Sequence, residues 1–236
     1  MSDSNVVVVV QARMDSSRLP GKIAAPLCGL PLLGRVVRRL QAAQVHLSLG
    51  LRVLVATTTS PADDVTESLC DDLGVDCFRG SENDVLDRYL AATTRFDNDR
   101  TILRATADNP LYCPLRTAKI ILHHQSGGGD YTSIENLSYV VPEVMRVGAL
   151  RGMAGRATSP FCHEHVTPYF RQHPEEFRVT QLSPTWEGLR PEIRLTVDTP
   201  EELQRMAAIY DALGRDNDTF SLEQIYEFCQ RRPLVA

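Results

Sequence analysis

Val6-Val7-Val8-Val9-Val10 runs directly into Gln11-Ala12-Arg13-Met14-Asp15-Ser16-Ser17-Arg18-Leu19-Pro20-Gly21-Lys22. Five consecutive β-branched residues suit a strand buried on both faces, the environment of a parallel sheet. The next residues turn abruptly to Arg, Asp, Ser, Pro and Gly, so the strand ends in a turn-rich loop. A buried strand that opens into a polar loop is the first half of a βα unit. Ligands of such sheets bind beyond the carboxyl ends of the strands, which makes this loop the first place to look for chemistry.

The rest of the chain supports that reading. Spacing predicts a helix over Leu32–Ala43 and a strand over Arg52–Ala56. A helix capped by Ser60-Pro61 is expected to run to Leu73, followed by a strand over Val75–Phe78. A helix over Asp84–Phe96, a strand over Thr101–Ala105 and a helix over Leu115–His124 follow, the last ended by Gly127-Gly128-Gly129. Alternating strands and helices predict an α/β fold: a Rossmann-like, mostly parallel twisted sheet with helices on both faces. The pattern loosens from Asp130 to Pro191, where short pieces (Tyr131–Ile134, Ser138–Val141, Val179–Leu182) surround helices expected at Arg151–Ala157 and Glu164–Gln172. That stretch reads as a small β-rich arm, residues 130–191, inserted in a single domain of 1–236. A strand is expected over Glu192–Val197. Thr199-Pro200-Glu201-Glu202 then fits a capping box, and Ser221-Leu222-Glu223-Gln224 starts a last helix in the same way.

Composition narrows the function classes. The 236 residues carry a formal charge of −5, which disfavours a nucleic-acid partner because that normally needs a basic face. No apolar run approaches the roughly 20 residues of a membrane helix. The opening Met-Ser-Asp-Ser-Asn lacks the basic start of a secretory leader. The six cysteines are scattered with no C-x-x-C pair, as expected for reduced thiols in a cytoplasmic protein.

Within this acidic chain, Arg13, Arg18 and Lys22 fall inside ten residues, beside hydroxyls and a Pro-Gly turn. Such a loop can wrap a triphosphate with arginine forks and backbone N–H groups. A solvated basic loop would look the same. Neither G-x-x-x-x-G-K-[ST] nor G-x-G-x-x-G is present. Asp108 follows the strand Thr101–Ala105, and Asp198 follows the strand expected at Glu192–Val197. Carboxylates at neighbouring strand ends can share one magnesium ion, which prefers oxygen ligands and often takes only one or two from the protein. Equally, Asp108 suits an Asx turn before Asn109-Pro110 and Asp198 suits a helix cap, although Thr199 already supplies that cap. Asp84 and Arg88 are i,i+4 neighbours that suit a surface pair. Cys162-His163-Glu164-His165 is not a zinc motif, because Thr167 stands where H-E-x-x-H needs histidine. His123-His124 reads as capping of a helix dipole.

At this point the chain resembles the CMP-sugar-acid synthetases, cytidylyltransferases that activate 3-deoxy-manno-octulosonate and sialic-type acids. It is most similar to the branch named after spore-coat polysaccharide biosynthesis protein F. The likeness rests on the opening loop and on four further blocks in order: Gly80-Ser81-Glu82-Asn83-Asp84-Val85-Leu86-Asp87-Arg88-Tyr89, Arg104-Ala105-Thr106-Ala107-Asp108-Asn109-Pro110-Leu111, Glu164-His165-Val166-Thr167-Pro168-Tyr169, and Thr196-Val197-Asp198-Thr199-Pro200-Glu201-Glu202-Leu203. The resemblance implies a GT-A-type nucleotidyltransferase that moves CMP from CTP to a small acidic acceptor, with magnesium, as a homodimer joined through the arm. It implies that Arg13 and Lys22, assisted by Arg18, hold the phosphates. Asp108 and Asp198 would hold the metal, and Arg13, Lys22 and Asp108 would be catalytic. Gln11, Ala12, Gly80, Ser81, Asp84, Arg88 and Arg104 would surround the nucleotide. Glu143 and His165 would face the acceptor, with His165 equally suited to a structural place at a helix start. Two departures fall on that side: Ser138-Tyr139-Val140-Val141-Pro142-Glu143 replaces a Pro-x-Gly turn, and His163 stands where arginine is common. An acceptor that is a phosphonate, phosphate or carboxylate metabolite, or a nucleotide-binding subunit without catalysis, are the competing readings.

Overall fold

The computed structural model describes residues 6–184, 193–214 and 218–231. Its centre is the valine run, strand β1 (Val6–Gln11). β1 pairs in parallel with β4 (Leu51–Thr58) on one side and β6 (Thr101–Thr106) on the other, so Gln11 lies opposite both Ala56 and Thr106. Two short strands, β2 (Pro26–Leu27) and β3 (Leu30–Pro31), form a separate hairpin before helix α1 (Leu32–Ala42). β5 (Asp76–Gly80) adds in parallel to β4, while β7 (Tyr131–Ile134), β8 (Glu143–Arg146) and β9 (Val179–Leu182) extend the sheet beyond β6. The order is β5-β4-β1-β6-β8-β7-β9, with β8 antiparallel to both its neighbours. The chain builds outward from β1 to β5 and then returns to β1's other side at β6. That reversal creates a crevice at the carboxyl ends of β1 and β6.

The five valines are each at most 1% exposed and alternate between two cores. Val6, Val8 and Val10 pack with α1, α2 (Asp64–Leu73), α4 (Pro114–Gly127), α8 (Pro200–Leu213) and α9 (Leu222–Arg231). Val7 and Val9 pack with α3 (Val85–Ala92), α5 (Val147–Ala154), α6 (Pro160–His165) and α7 (Pro168–Gln172). Each buried valine contributes about 1.5–3 kcal/mol, so an aspartate at Val8 would break the sheet at its centre. Two buried arginines of α1 fasten the end of the chain to this core. Arg39 donates to the carbonyls of Tyr112 (2.6 Å), Asp218 (3.0 Å) and Phe220 (2.9 Å). Arg35 pairs with the Asp218 carboxylate at 3.1 Å, and its guanidinium stacks 4.7 Å from the Tyr210 ring.

Several expected elements differ. Residues 193–197 form no strand, although Leu195 and Val197 are buried with a strand's alternation; Glu192 lies outside the described residues. The reason is that Val197's backbone is used elsewhere: its N–H donates to Asp108 O (2.9 Å) and its carbonyl accepts from Lys22 Nζ (2.8 Å). Ser138–Val141 is a turn rather than a strand, closed by Val140 N–H and Val141 N–H on Leu137 O, and the strand lies at Glu143–Arg146 instead. The helix expected over Glu164–Gln172 is broken into α6 and α7 around Val166. The helix expected from Ser60 starts with a 3-10 turn at Pro61–Asp63, and Ser60 makes no side-chain cap. Strands β7, β8 and β9 of the expected arm are continuous with the main sheet. The Thr199–Glu202 capping box is present, with Glu202 also reaching the Asp198 N–H at 2.6 Å.

Candidate active site

The loop after β1 folds back on itself. Gly21 sits in the left-handed region (φ 72°), where a side chain is strained, and its N–H closes the loop on Met14 O at 2.9 Å. Met14 N–H in turn donates to Asp63 at 2.7 Å, a buried carboxylate that also accepts from Thr58 and Thr66 hydroxyls. Sequence reasoning missed Asp63, because an acidic residue in a helix's first turn has an ordinary explanation.

Closing the loop turns Lys22 inward. Its Nζ lies 3.1 Å from Asp108 Oδ2, 2.9 Å from Asp198 Oδ1 and 2.8 Å from the Val197 carbonyl. Arg18 reaches the other Asp198 oxygen at 2.8 Å, and the Thr106 hydroxyl donates to Asp108 Oδ1 at 2.6 Å. Residues 86 and 176 positions from Lys22 are thus brought to one ammonium group. The neighbouring Arg13 is exposed and makes no ion pair or hydrogen bond among the described residues. These side chains line one open cleft of about 900 Å³ whose walls also carry Arg104 and His163.

Of the expected nucleotide residues, Gln11, Ala12, Arg13, Arg18, Lys22, Asp84, Arg88 and Arg104 line the cleft, whereas Gly80 and Ser81 do not. Those two act from behind. A Cβ on Gly80 would come within 2.8 Å of Phe78 Cε1 and 3.2 Å of Arg88 Cγ, so glycine leaves room for Arg88 to cross the strand end. The Ser81 carbonyl accepts from Arg88 Nε (2.8 Å) and a terminal nitrogen (2.6 Å). Arg88 therefore fastens the 81–82 loop instead of forming the i,i+4 pair with Asp84. Burial, with Arg13 nearby, lowers its pKa. Asp84 caps α3 through Asp87 N–H (2.9 Å) and binds His163 Nδ1 at 2.6 Å.

Beyond Arg104 the cleft adjoins a cavity of about 240 Å³ lined by Glu143, His165, Thr167 and Arg171 among others. Glu143 is 5% exposed and does not reach the main cleft. It accepts from Arg104 (3.2 Å), Arg171 (2.7 Å), Thr167 (2.8 Å) and the Tyr131 hydroxyl. Burial would raise its pKa, but Arg104, Tyr131, Arg171 and Thr167 together hold it below the ordinary carboxylate value. Its oxygens are engaged by the protein, which makes it a positioning residue for two arginines more than a direct ligand. His165 lines both cavities, its ring edge-on to Phe161 at 4.6 Å. It precedes Val166, whose φ of 66° and ψ of −62° with a Thr167 N–H to His165 O bond (2.8 Å) form a γ-turn of the rare, strained hand. A β-branched residue there costs energy that the Thr167–Glu143 bond helps to offset. Arg171 was not anticipated, because it falls two residues beyond the Glu164–Tyr169 block.

His124 is not a charged helix cap. It is buried, its Nδ1 lies 2.8 Å from Thr132 Oγ1, and burial, with Arg146 nearby, pushes its pKa down to about 4. His173, Glu175 and Glu176 cluster closely enough for a cation, on the surface and away from both cavities.

The donor set at Lys22 fits a hard divalent cation. Asp108 and Asp198 turn carboxylate oxygens to one point, taken here by the Lys22 ammonium, and so small a protein share would suit a divalent cation shared with phosphates. Arg13, Arg18 and Lys22 beside it suit the phosphates themselves.

Comparison with known proteins shows the family and the fold. A family model described as cytidylyltransferase matches residues 7–236. The chain is 34% identical over 235 residues to spore coat polysaccharide biosynthesis protein SpsF of Bacillus subtilis, covering 99% of this chain and 97% of that protein. A solved cytidylyltransferase from Leptospira borgpetersenii superposes with a TM-score of 0.85 at 28% identity, covering 98% of this chain and 95% of that one. The CMP:2-keto-3-deoxy-manno-octonic acid synthetase complexed with CTP shares the fold at a TM-score of 0.67 and 16% identity, over 88% of this chain and 98% of its own. With its sheet and nearly its whole length matched, the chain belongs to the cytidylyltransferase family of CTP-dependent nucleotidyltransferases.

Proposed function

We propose that the protein transfers CMP from CTP to an acidic, sugar-like acceptor of the nonulosonic or 3-deoxy-ulosonic type, with magnesium and release of pyrophosphate. The observation that carries this reading is Lys22 bridging Asp108 and Asp198 at the mouth of the β1–β6 crevice. An acceptor oxygen attacks the α-phosphorus in line with the departing pyrophosphate. Arg13 and Arg18 take phosphate oxygens, and Lys22 shares its protons between the carboxylates and the phosphates as charge builds on the leaving group. Magnesium held by Asp108 and Asp198 would supply further charge neutralisation. Glu82 and Asn83, beside the loop held by Arg88, frame the base with Gln11 and Ala12; Arg104, which lines both cavities, lies between the nucleotide and an acceptor met by His165.

The relatives support the nucleotide half of the reading more than the acceptor half: one structural neighbour is described as complexed with CTP and another with manganese. The acidic acceptor is argued from cations: Arg104 and Arg171 flank the smaller cavity, and His165 opens onto it. Homodimerisation through residues in 130–191 belongs to the same proposal.

The test is pyrophosphate release from each of the four nucleoside triphosphates, with magnesium and a panel of acceptors. Release is expected only with CTP plus a 2-keto sugar acid. Equal release with UTP would remove the nucleotide assignment. Release driven by a phosphonate or simple phosphate would replace the acceptor, and CTP binding with no release under any acceptor would make the chain a non-catalytic subunit.

A further inference from the structure

On the wall of the cleft that Lys22, Asp108 and Asp198 also line, two side chains from different elements form a carboxylate–imidazole pair. Asp84 Oδ2 lies 2.6 Å from His163 Nδ1. Both partners are fixed. The other Asp84 oxygen caps α3 through Asp87 N–H at 2.9 Å, and α6 is capped by Ser159, which accepts from Cys162 N–H at 3.2 Å. With Nδ1 facing a carboxylate, a neutral imidazole carries its proton there and leaves the lone pair on Nε2. Nε2 makes no hydrogen bond among the described residues and is not buried. Both residues line the cleft.

We propose, resting on the function above, that Asp84 and His163 form the base that takes the proton of the attacking acceptor hydroxyl. The acceptor O–H bond breaks as its oxygen bonds to the α-phosphorus. The proton passes to His163 Nε2, and the bond from phosphorus to the pyrophosphate oxygen breaks with its electron pair on pyrophosphate. Asp84 stabilises the resulting imidazolium, which then returns its proton to water. The charged and titratable groups on the elements packed against His163 are Asp84, Asp87, Arg88 and Tyr89 around α3, Cys162, Glu164 and His165 on its own helix, and Tyr169 and Arg171 on α7. Among them Asp84 alone is bonded to the ring.

The competing role is a clasp that joins α3 to α6 without touching a proton. His163→Gln separates the two, because a glutamine amide can still donate to Asp84 but cannot accept a proton at neutral pH. In that variant kcat for pyrophosphate release is expected to fall about 10²–10⁴-fold, with CTP affinity kept and the acid limb of the kcat–pH profile lost. Asp84→Asn retains the α3 cap, since asparagine caps as well as aspartate, and is expected to lower kcat as well. A kcat within threefold of the parent in either variant, or a fall with the acid limb intact, would overturn the dyad. Nitrogen-15 NMR of the unaltered protein reads the tautomer without turnover: Nδ1–H is expected, and an Nε2–H tautomer also overturns the proposal. Failure of every acceptor would count against the function itself, whereas the tautomer speaks only to the dyad.

Discussion

Arg13 and Glu143 lie in adjoining cavities and are held in opposite ways. Arg13 is exposed and has no charged partner among the described residues, whereas Glu143 is buried under two arginines, a tyrosine and a threonine. The first region leaves Arg13 available for a ligand that brings its own negative charge, while Lys22 and Arg18 beside it are paired with aspartates. The second sets one buried carboxylate against two arginines, which fixes the directions of Arg104 and Arg171 and leaves one positive charge in excess. Disturbing the first should alter binding and turnover, and disturbing the second should alter folding.

The largest expected effect is on the buried end. Glu143→Gln leaves two arginines facing a neutral amide, and breaking a buried pair in this way costs about 3–5 kcal/mol. Denaturant unfolding at neutral pH measures it. Because the folded protein holds the Glu143 pKa below its ordinary 4.5, the stabilisation is complete above that value and disappears as pH falls through the folded pKa. The gap between parent and variant should therefore narrow below about pH 4.5. A gap independent of pH would show that packing, not charge, is what Glu143 supplies.

Next in size is Asp108→Asn, expected to reduce turnover about 10²–10³-fold, roughly 2.7–4 kcal/mol, with the melting temperature nearly unchanged. Pyrophosphate release at saturating CTP reads it, and a near-normal rate would remove Asp108 from the chemistry. His124 gives a third test. Its pKa is depressed from 6.5 to about 4, so the unfolded chain binds the extra proton first. Stability should fall by up to about 3 kcal/mol between those two values and level off below them, a slope absent in His124→Gln. Thr199→Ala removes the cap of α8 and should cost about 1 kcal/mol by thermal unfolding. Smallest for stability is Arg13→Ala, within about 0.5 kcal/mol of the parent, yet with CTP affinity weakened. Equal stability losses in Arg13→Ala and Glu143→Gln would erase the contrast between the two ends.

The same contrast governs what could be read from sequence. The meeting of the opening loop with Asp108 and Asp198 was legible because its signal is local: a valine run, a basic Pro-Gly loop, and aspartates just after buried apolar residues. The α/β class followed from the same periodicity. Legibility ended where backbone groups find partners outside a ladder. Ile193–Val197 has a strand's burial alternation, but Asp108 O and Lys22 Nζ occupy the Val197 backbone. Asp63, Arg88 and Arg171 each do their work through partners far away or on main-chain carbonyls, which no spacing rule records. The Val166 turn was invisible for a different reason, since valine is among the residues least suited to positive φ.

The two arginines of α1 also bear on how the chain is made. Arg39 donates to carbonyls 179 and 181 positions further on, and Arg35 pairs with a carboxylate 183 positions further on. While the protein is still emerging from a ribosome, those acceptors do not yet exist, and the two guanidinium groups have only their earlier partners, the Leu27 and Tyr112 carbonyls among them. The first helix can therefore reach its final bed only after residues 218–220 have been synthesised, which makes the closing of this domain a late event in its own synthesis.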